Sequence, residues 1–133
     1  MKFEIEDAAL EWTFRDDTFD FIHIRYLLGG INDWSALFRQ AYRCCKQGGW
    51  AESFEVDATL CSDDGSADNN PVIAKWNELF QEAAKKTGRS FNLCADDMQR
   101  KGMEDAGFID LHLVHFKVKS SQQQKKTPKH CAT

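Results

Sequence analysis

FDFIHIRYLLGGINDWSALFRQAYRCCKQGGWAESFE, residues 19–55, decides the fold of this 133-residue chain. Phe19 to Ile24 is a short run of aromatic and β-branched residues, which favours a strand over a helix. Arg25 to Ile31 then leads through Gly29 and Gly30 to Asn32 or Asp33. Either can cap a helix, because its side-chain oxygen accepts a free N–H of the first turn. Trp34, Leu37, Phe38, Ala41, Tyr42 and Cys45 recur at helical spacing and make one apolar stripe, with Arg39, Gln40 and Arg43 off it. Gly48 and Gly49 are expected to stop this helix, where a positive φ is needed. Trp50 to Val56 alternates and reads as a second strand. The whole stretch is one βαβ unit.

Working outward, Lys2 to Glu6 alternates apolar and charged residues and reads as a half-buried strand that ends at Asp7 and Ala8. Glu11 to Asp17 is a loop, with Trp12 and Phe14 expected to pin it to the core. Asp57 to Asn70 is a long polar loop, of the length that is often functional or mobile. Asn70-Pro71 marks a helix start. Val72, Ile73, Trp76, Leu79, Phe80, Ala83 and Ala84 form its stripe, and Thr87-Gly88 its end. That stripe and Trp34 read as core in the first instance, or as the lining of a cavity. Ser90 to Cys94 suggests a short extended piece. Ala95 or Asp96 caps a further helix that Gly107 closes. Phe108 to Val118 reads as one long strand, or as two joined near Val114-His115. Lys119 to Thr133 is polar and expected to be disordered. The expected fold class is α/β, a parallel sheet with helices on both faces. The expected division is a domain over 1–118 and a polar basic tail over 119–133.

The formal net charge is −4, and the basic residues gather in the tail, so no nucleic-acid footprint is expected. The cysteines Cys44, Cys45, Cys61, Cys94 and Cys131 are odd in number and form no CxxC. With no leader segment in view, they read as reduced thiols of a cytoplasmic protein. No apolar run approaches the ~18 residues of a membrane helix, and no membrane partner is expected. No metal is expected either. His112 and His115, three apart on a strand, would point to opposite faces. Asp63, Asp64 and Asp68 miss the EF-hand spacing.

Read in order, EIEDAALEWTF, the stretch 19–55 and DDMQRKGMEDAGF with its following strand resemble fungal LaeA-like class I S-adenosylmethionine-dependent methyltransferases. The resemblance covers residues 3 to 118 and is most specific over 19–55. It implies that Asp7 and Ala8 are the acidic–small pair after a strand that receives the adenine of the cofactor. It implies that Ile24 and Arg25 lie beside the methionine part of the cofactor and the substrate, and that Tyr26 and Leu28 line the substrate side. Against those roles, Asp7 also reads as an exposed loop carboxylate, Arg25 as a surface or ion-paired residue, and His23 first as a buried core histidine and second as a base. Glu52 and Glu55 leave their strand on opposite faces, and one of them is expected to point into the crevice. Arg25, His23, Glu52 and Tyr26 are the candidate catalytic residues. Asp7, Ala8 and Ile24 are the candidate cofactor-binding residues.

The family's GxGxG loop does not occur in this sequence, and Gln47 stands where the family has Pro. The resemblance is therefore expected to cover the family's C-terminal half only, a truncated Rossmann-like sheet with an open strand edge, completed by dimerisation or strand rearrangement. No cofactor is expected, or S-adenosylmethionine where methyl transfer is retained. The expected function is a cofactor-independent cyclase or isomerase of fungal secondary metabolism. Its expected partners are a natural-product intermediate, a second copy of the chain and a full-length methyltransferase. The alternatives are a methyltransferase fragment or split-enzyme half, and a non-catalytic interaction module.

Overall fold

The computed structural model describes residues 6–117. The expected strand at Lys2–Glu6 and the tail 119–133 lie outside the described residues, apart from Glu6 itself. Five elements follow in order: β1 (Phe19–Arg25), α1 (Trp34–Cys44), β2 (Cys45–Phe54), α2 (Pro71–Thr87) and α3 (Met98–Ala106). β1 and β2 pair in parallel. The result is a small α/β fold in which a two-stranded open sheet is flanked by helices, a truncated Rossmann-like core.

The βαβ unit forms as its sequence suggests. The Asp33 side chain caps α1 by accepting the N–H of Ala36 at 2.8 Å. The stripe of α1 buries Trp34, Leu37, Phe38, Ala41 and Cys44, while Tyr42 stays exposed. These side chains meet Ile22 and Ile24 of β1, with Leu93 and Met103 behind them. Phe38 is fully buried, and a side chain of this size contributes roughly 1.5–3 kcal/mol by leaving water. Trp12 and Phe14 pack on this core, as expected. Arg43 holds their loop: its guanidinium donates to Trp12 O at 3.0 Å, Phe14 O at 2.8 Å and Asp16 Oδ1 at 2.7 Å.

Several boundaries differ from expectation. Gly48 and Gly49 do not end α1, whose C-cap is the extended Cys45. They belong to an irregularity inside β2: Phe19 faces Cys45 and Phe21 faces Trp50, so β1 advances by two residues while β2 advances by five. Lys46 closes this bulge by donating to both oxygens of Asp20, at 2.8 and 2.9 Å. A Cβ on Gly49 would stand 2.9 Å from Asp20 O, so the bulge needs glycine for space. Nor do residues 108–117, the described part of the expected strand over 108–118, form a strand. His112 and His115 therefore lie in irregular chain and not on a strand. Ser90–Cys94 is likewise not a strand.

α2 has the expected ends, with Asn70 as cap, Pro71 in its first turn and Gly88 left-handed at its end. Its stripe is not core. No residue of α2 is buried, and Val72, Trp76 and Leu79 are exposed. Particular bonds attach the helix instead. Trp76 Nε1 donates to Ala58 O at 2.8 Å, and Asn77 bonds Leu60 in both directions, at 2.9 and 3.0 Å. Phe80 meets Phe91 edge-on.

Candidate functional site

Strand parity divides the site. Ile22 and Ile24 point into the core, so Phe21, His23 and Arg25 lie on the other face of β1. Their register partners in β2 are Trp50, Glu52 and Phe54. His23 is therefore not the core histidine its apolar neighbours suggested. Its ring is exposed, with Nδ1 2.9 Å from Glu52 Oε2. The Arg25 guanidinium lies over two rings, 4.7 Å from the centre of Tyr26 and 5.3 Å from that of Phe54. The four candidate catalytic residues thus share one region at the end of β1 and beside it on β2.

Tyr26 turns the chain sharply. Its φ is +52°, a left-handed value that is uncommon for a residue with a Cβ. Its N–H still reaches Phe54 O at 3.1 Å. The next two amides, of Leu27 and Leu28, both donate to the Glu55 carboxylate, at 2.9 and 3.1 Å. Glu55 is the buried charged residue among those described, and burial pushes its carboxyl above the usual range against the pull of the two amides. Sequence reasoning placed Glu55 on the face opposite Glu52 but did not find this clamp. It also missed Phe54 as a platform for Arg25. The Phe54 role follows from register, which alternation alone does not supply.

The candidate cofactor residues sit elsewhere. Asp7 is exposed, and its Oδ1 accepts the N–H of Ala9 at 2.9 Å. Ala8 lines a cleft of about 210 Å³ between the Ala8–Glu11 loop, the Ile31–Asp33 segment and the first turns of α1. Ile24 is a core residue, 4% exposed. It belongs to the core cluster that also holds Ile31 and Leu37, and it does not line the cleft. The loop from Tyr26 to Asp33 joins this cleft to the Arg25 region. Arg89 braces that loop by donating to Gly29 O at 2.6 Å and to Asn32. A Cβ on Gly29 would press into the Phe91 ring at 2.7 Å, so glycine lets the loop settle there.

A sequence profile described as "Methyltransferase domain" matches residues 2–113. The chain belongs to the methyltransferase domain family. It is 33% identical to Methyltransferase pytC of Aspergillus terreus over 118 residues, 89% of this chain and 36% of that protein. It is 33% identical to Probable methyltransferase tdiE of Emericella nidulans over 113 residues, 85% of this chain and 34% of that protein. It is 28% identical to Protein-methionine methyltransferase laeA of Emericella nidulans over 105 residues, 79% of this chain and 28% of that protein. This methyltransferase-domain chain thus spans about a third of the length of these curated relatives. No solved structure matches it significantly.

Family membership overturns three expectations. The match runs through nearly the whole chain, from residue 2 to residue 113, so the resemblance is not to a C-terminal half only. A methyltransferase match of that extent argues against a cyclase or isomerase and favours the methyltransferase alternative. It also implies S-adenosylmethionine, against the expectation of no cofactor. The cleft that Ala8 lines is smaller than the ~300–1,000 Å³ of a site for a drug-sized ligand, and Asp7 does not line it, so the described residues do not by themselves form a site for the whole cofactor. Among the described residues, no helix is long and apolar enough to cross a membrane.

Proposed function

We propose that this chain takes part in S-adenosylmethionine-dependent methyl transfer to a small natural-product acceptor of fungal secondary metabolism. The observation that carries the reading is the match to the methyltransferase domain family from residue 2 to 113, and the shallow cleft that Ala8 lines is compatible with it. The fungal relatives, among them Secondary metabolism regulator LAE1 of Cochliobolus heterostrophus, support the metabolic setting. The free thiols of Cys44, Cys45, Cys61 and Cys94 support a reducing, cytoplasmic one.

In this reading Asp7 and the backbone at Ala8 hold the adenine end, and Ile24 supports it from the core. The cofactor supplies an electrophilic methyl group when bound. Arg25 and Tyr26 bind the acceptor, the guanidinium through charge and the rings of Tyr26 and Phe54 through stacking. His23 gives its Nδ1–H to Glu52, which leaves the Nε2 lone pair to take the acceptor's proton. A second copy of the chain, or a full-length methyltransferase, pairs with the open edge of β1. Light scattering tests the homodimer, and a clean monomer overturns it.

Calorimetry with S-adenosylhomocysteine tests the main reading. The chain is expected to bind it, and Asp7→Asn to bind about tenfold more weakly, about 1.4 kcal/mol. A parallel assay follows labelled methyl from S-adenosylmethionine onto a panel of hydroxylated aromatic polyketides. A chain that neither binds nor transfers overturns the proposal.

A further inference from the structure

Glu55 stands one residue past β2 and is 8% exposed, in a place where a carboxylate needs a reason to be. Its two oxygens receive the consecutive amides of Leu27 and Leu28 at 2.9 and 3.1 Å. Those amides point the same way because Tyr26, at φ +52°, turns the backbone just before them. Two successive N–H groups in such a turn form a small anion-binding concavity, and here the protein fills it with its own carboxylate. The side chains of Leu27 and Leu28 meanwhile pack against the core. The turn is thus held from both sides, and its geometry is passed back to the two residues that begin it. Tyr26 meets the Phe54 ring edge-on at 5.6 Å, and Arg25 lies over both rings. Phe54 is the residue directly before Glu55, so one short segment supplies both the platform and the clamp.

We propose that Glu55 is a positioning residue: by clamping the Leu27 and Leu28 amides, it sets where Arg25 and Tyr26 present themselves to the acceptor. The functional part rests on the methyltransferase reading above, whereas the positioning part stands on the geometry alone. A chain with Gln at this position offers one acceptor oxygen and turns an NH2 donor toward the other amide, so the clamp opens. A chain with Asp keeps the charge on a stem one methylene shorter and recovers the contact in part.

The test compares wild type, Glu55→Gln and Glu55→Asp as full chains by NMR and by methyl transfer to whichever polyketide of the panel is turned over. In Glu55→Gln the Leu27 and Leu28 amide signals shift, and the Arg25 side-chain protons lose the upfield displacement that stacked rings impose. The methyls of Ile22 and Ile24 stay in place. The acceptor KM rises about tenfold or more, while the affinity for S-adenosylhomocysteine is unchanged. Glu55→Asp lies between the two. Should Glu55→Gln fail to fold, Glu55→Asp carries the same comparison. Unmoved Arg25 signals in a folded variant overturn the inference, and so does a loss of cofactor affinity in step with the KM. If wild type transfers no methyl group to the panel, the NMR comparison alone decides the positioning role, and the methyltransferase reading falls only if S-adenosylhomocysteine does not bind either.

Discussion

His23 and Glu52 are register partners in the parallel ladder, and Nδ1 of one lies 2.9 Å from Oε2 of the other. The side chains are 42% and 56% exposed, so water screens the pair. Such pairs contribute about 0–1 kcal/mol to stability. Orientation is the larger effect, since a carboxylate on one ring nitrogen fixes which nitrogen is left to accept a proton.

His23→Gln and Glu52→Gln are therefore expected to leave the denaturation midpoint nearly unchanged. On the proposed mechanism, His23→Gln lowers the methyl-transfer rate by about 10²–10⁴, the usual worth of a positioned base. Initial rates beside urea titrations check this, and an unaltered rate removes His23 from the mechanism.

Gly102 lies in α3 directly against the fully buried Phe38, and a Cβ there would stand 2.6 Å from the ring. Alanine is favoured over glycine in a helix by about 1 kcal/mol. Overpacking a filled core costs about 1–3 kcal/mol, and the ring has no free side to move to. Gly102→Ala is expected to destabilise the chain on balance. A higher urea midpoint for the variant would contradict the packing described.

Glu55 predicts a pH dependence. Burial raises its folded-state pKa above the unfolded value, even though the amides of Leu27 and Leu28 pull it down. The folded chain therefore binds more protons than the unfolded chain between those two values, and stability falls as pH rises through that window. The contribution is complete below the unfolded carboxylate value and is lost above the folded one. Urea titrations at stepped pH, taken as wild type minus Glu55→Gln, should show a difference that shrinks with rising pH. A difference that grows reverses the sign and contradicts the burial.

Asn77 ties the exposed α2 to the loop before it through both directions of bonding with Leu60. Asn77→Ala removes both bonds, each worth about 0.5–1.5 kcal/mol. The expected signature is local: faster hydrogen exchange at Leu60, with the amides of α1 unaltered. Uniformly faster exchange would mean that α2 is coupled to the core more tightly than its exposed face shows.

Much of the fold was legible in the sequence. The stripe from Trp34 to Cys45 predicts α1, Asn70-Pro71 predicts the start of α2, and Gly107 closes α3 in the left-handed conformation. These are local signals, set by periodicity and by caps within one turn. The misreadings have a common source in long-range contact. The run FDFIHI does not say which of its faces is buried, and only the packing of Ile22 and Ile24 on α1 puts His23 outside. Two glycines after a helix read as its stop, whereas Gly48 and Gly49 serve a bulge opposite Asp20. The stripe of α2 is amphipathic by sequence, yet among the described residues none of it is fully buried.

By itself, the sequence determined the βαβ unit, the helix ends and the methyltransferase-like ancestry, because each is written in near-neighbour residues or in their order along the chain. Tertiary structure alone decided that His23 meets Glu52, that Arg25 lies over Tyr26 and Phe54, and that Glu55 clamps Leu27 and Leu28. Apart from Arg25 and Tyr26, which are neighbours in the chain, those partners come from opposite ends of the βαβ unit. What joins them is the register of two parallel strands, which depends on the bulge at Lys46–Gly49 and on the side chains packed beneath the sheet.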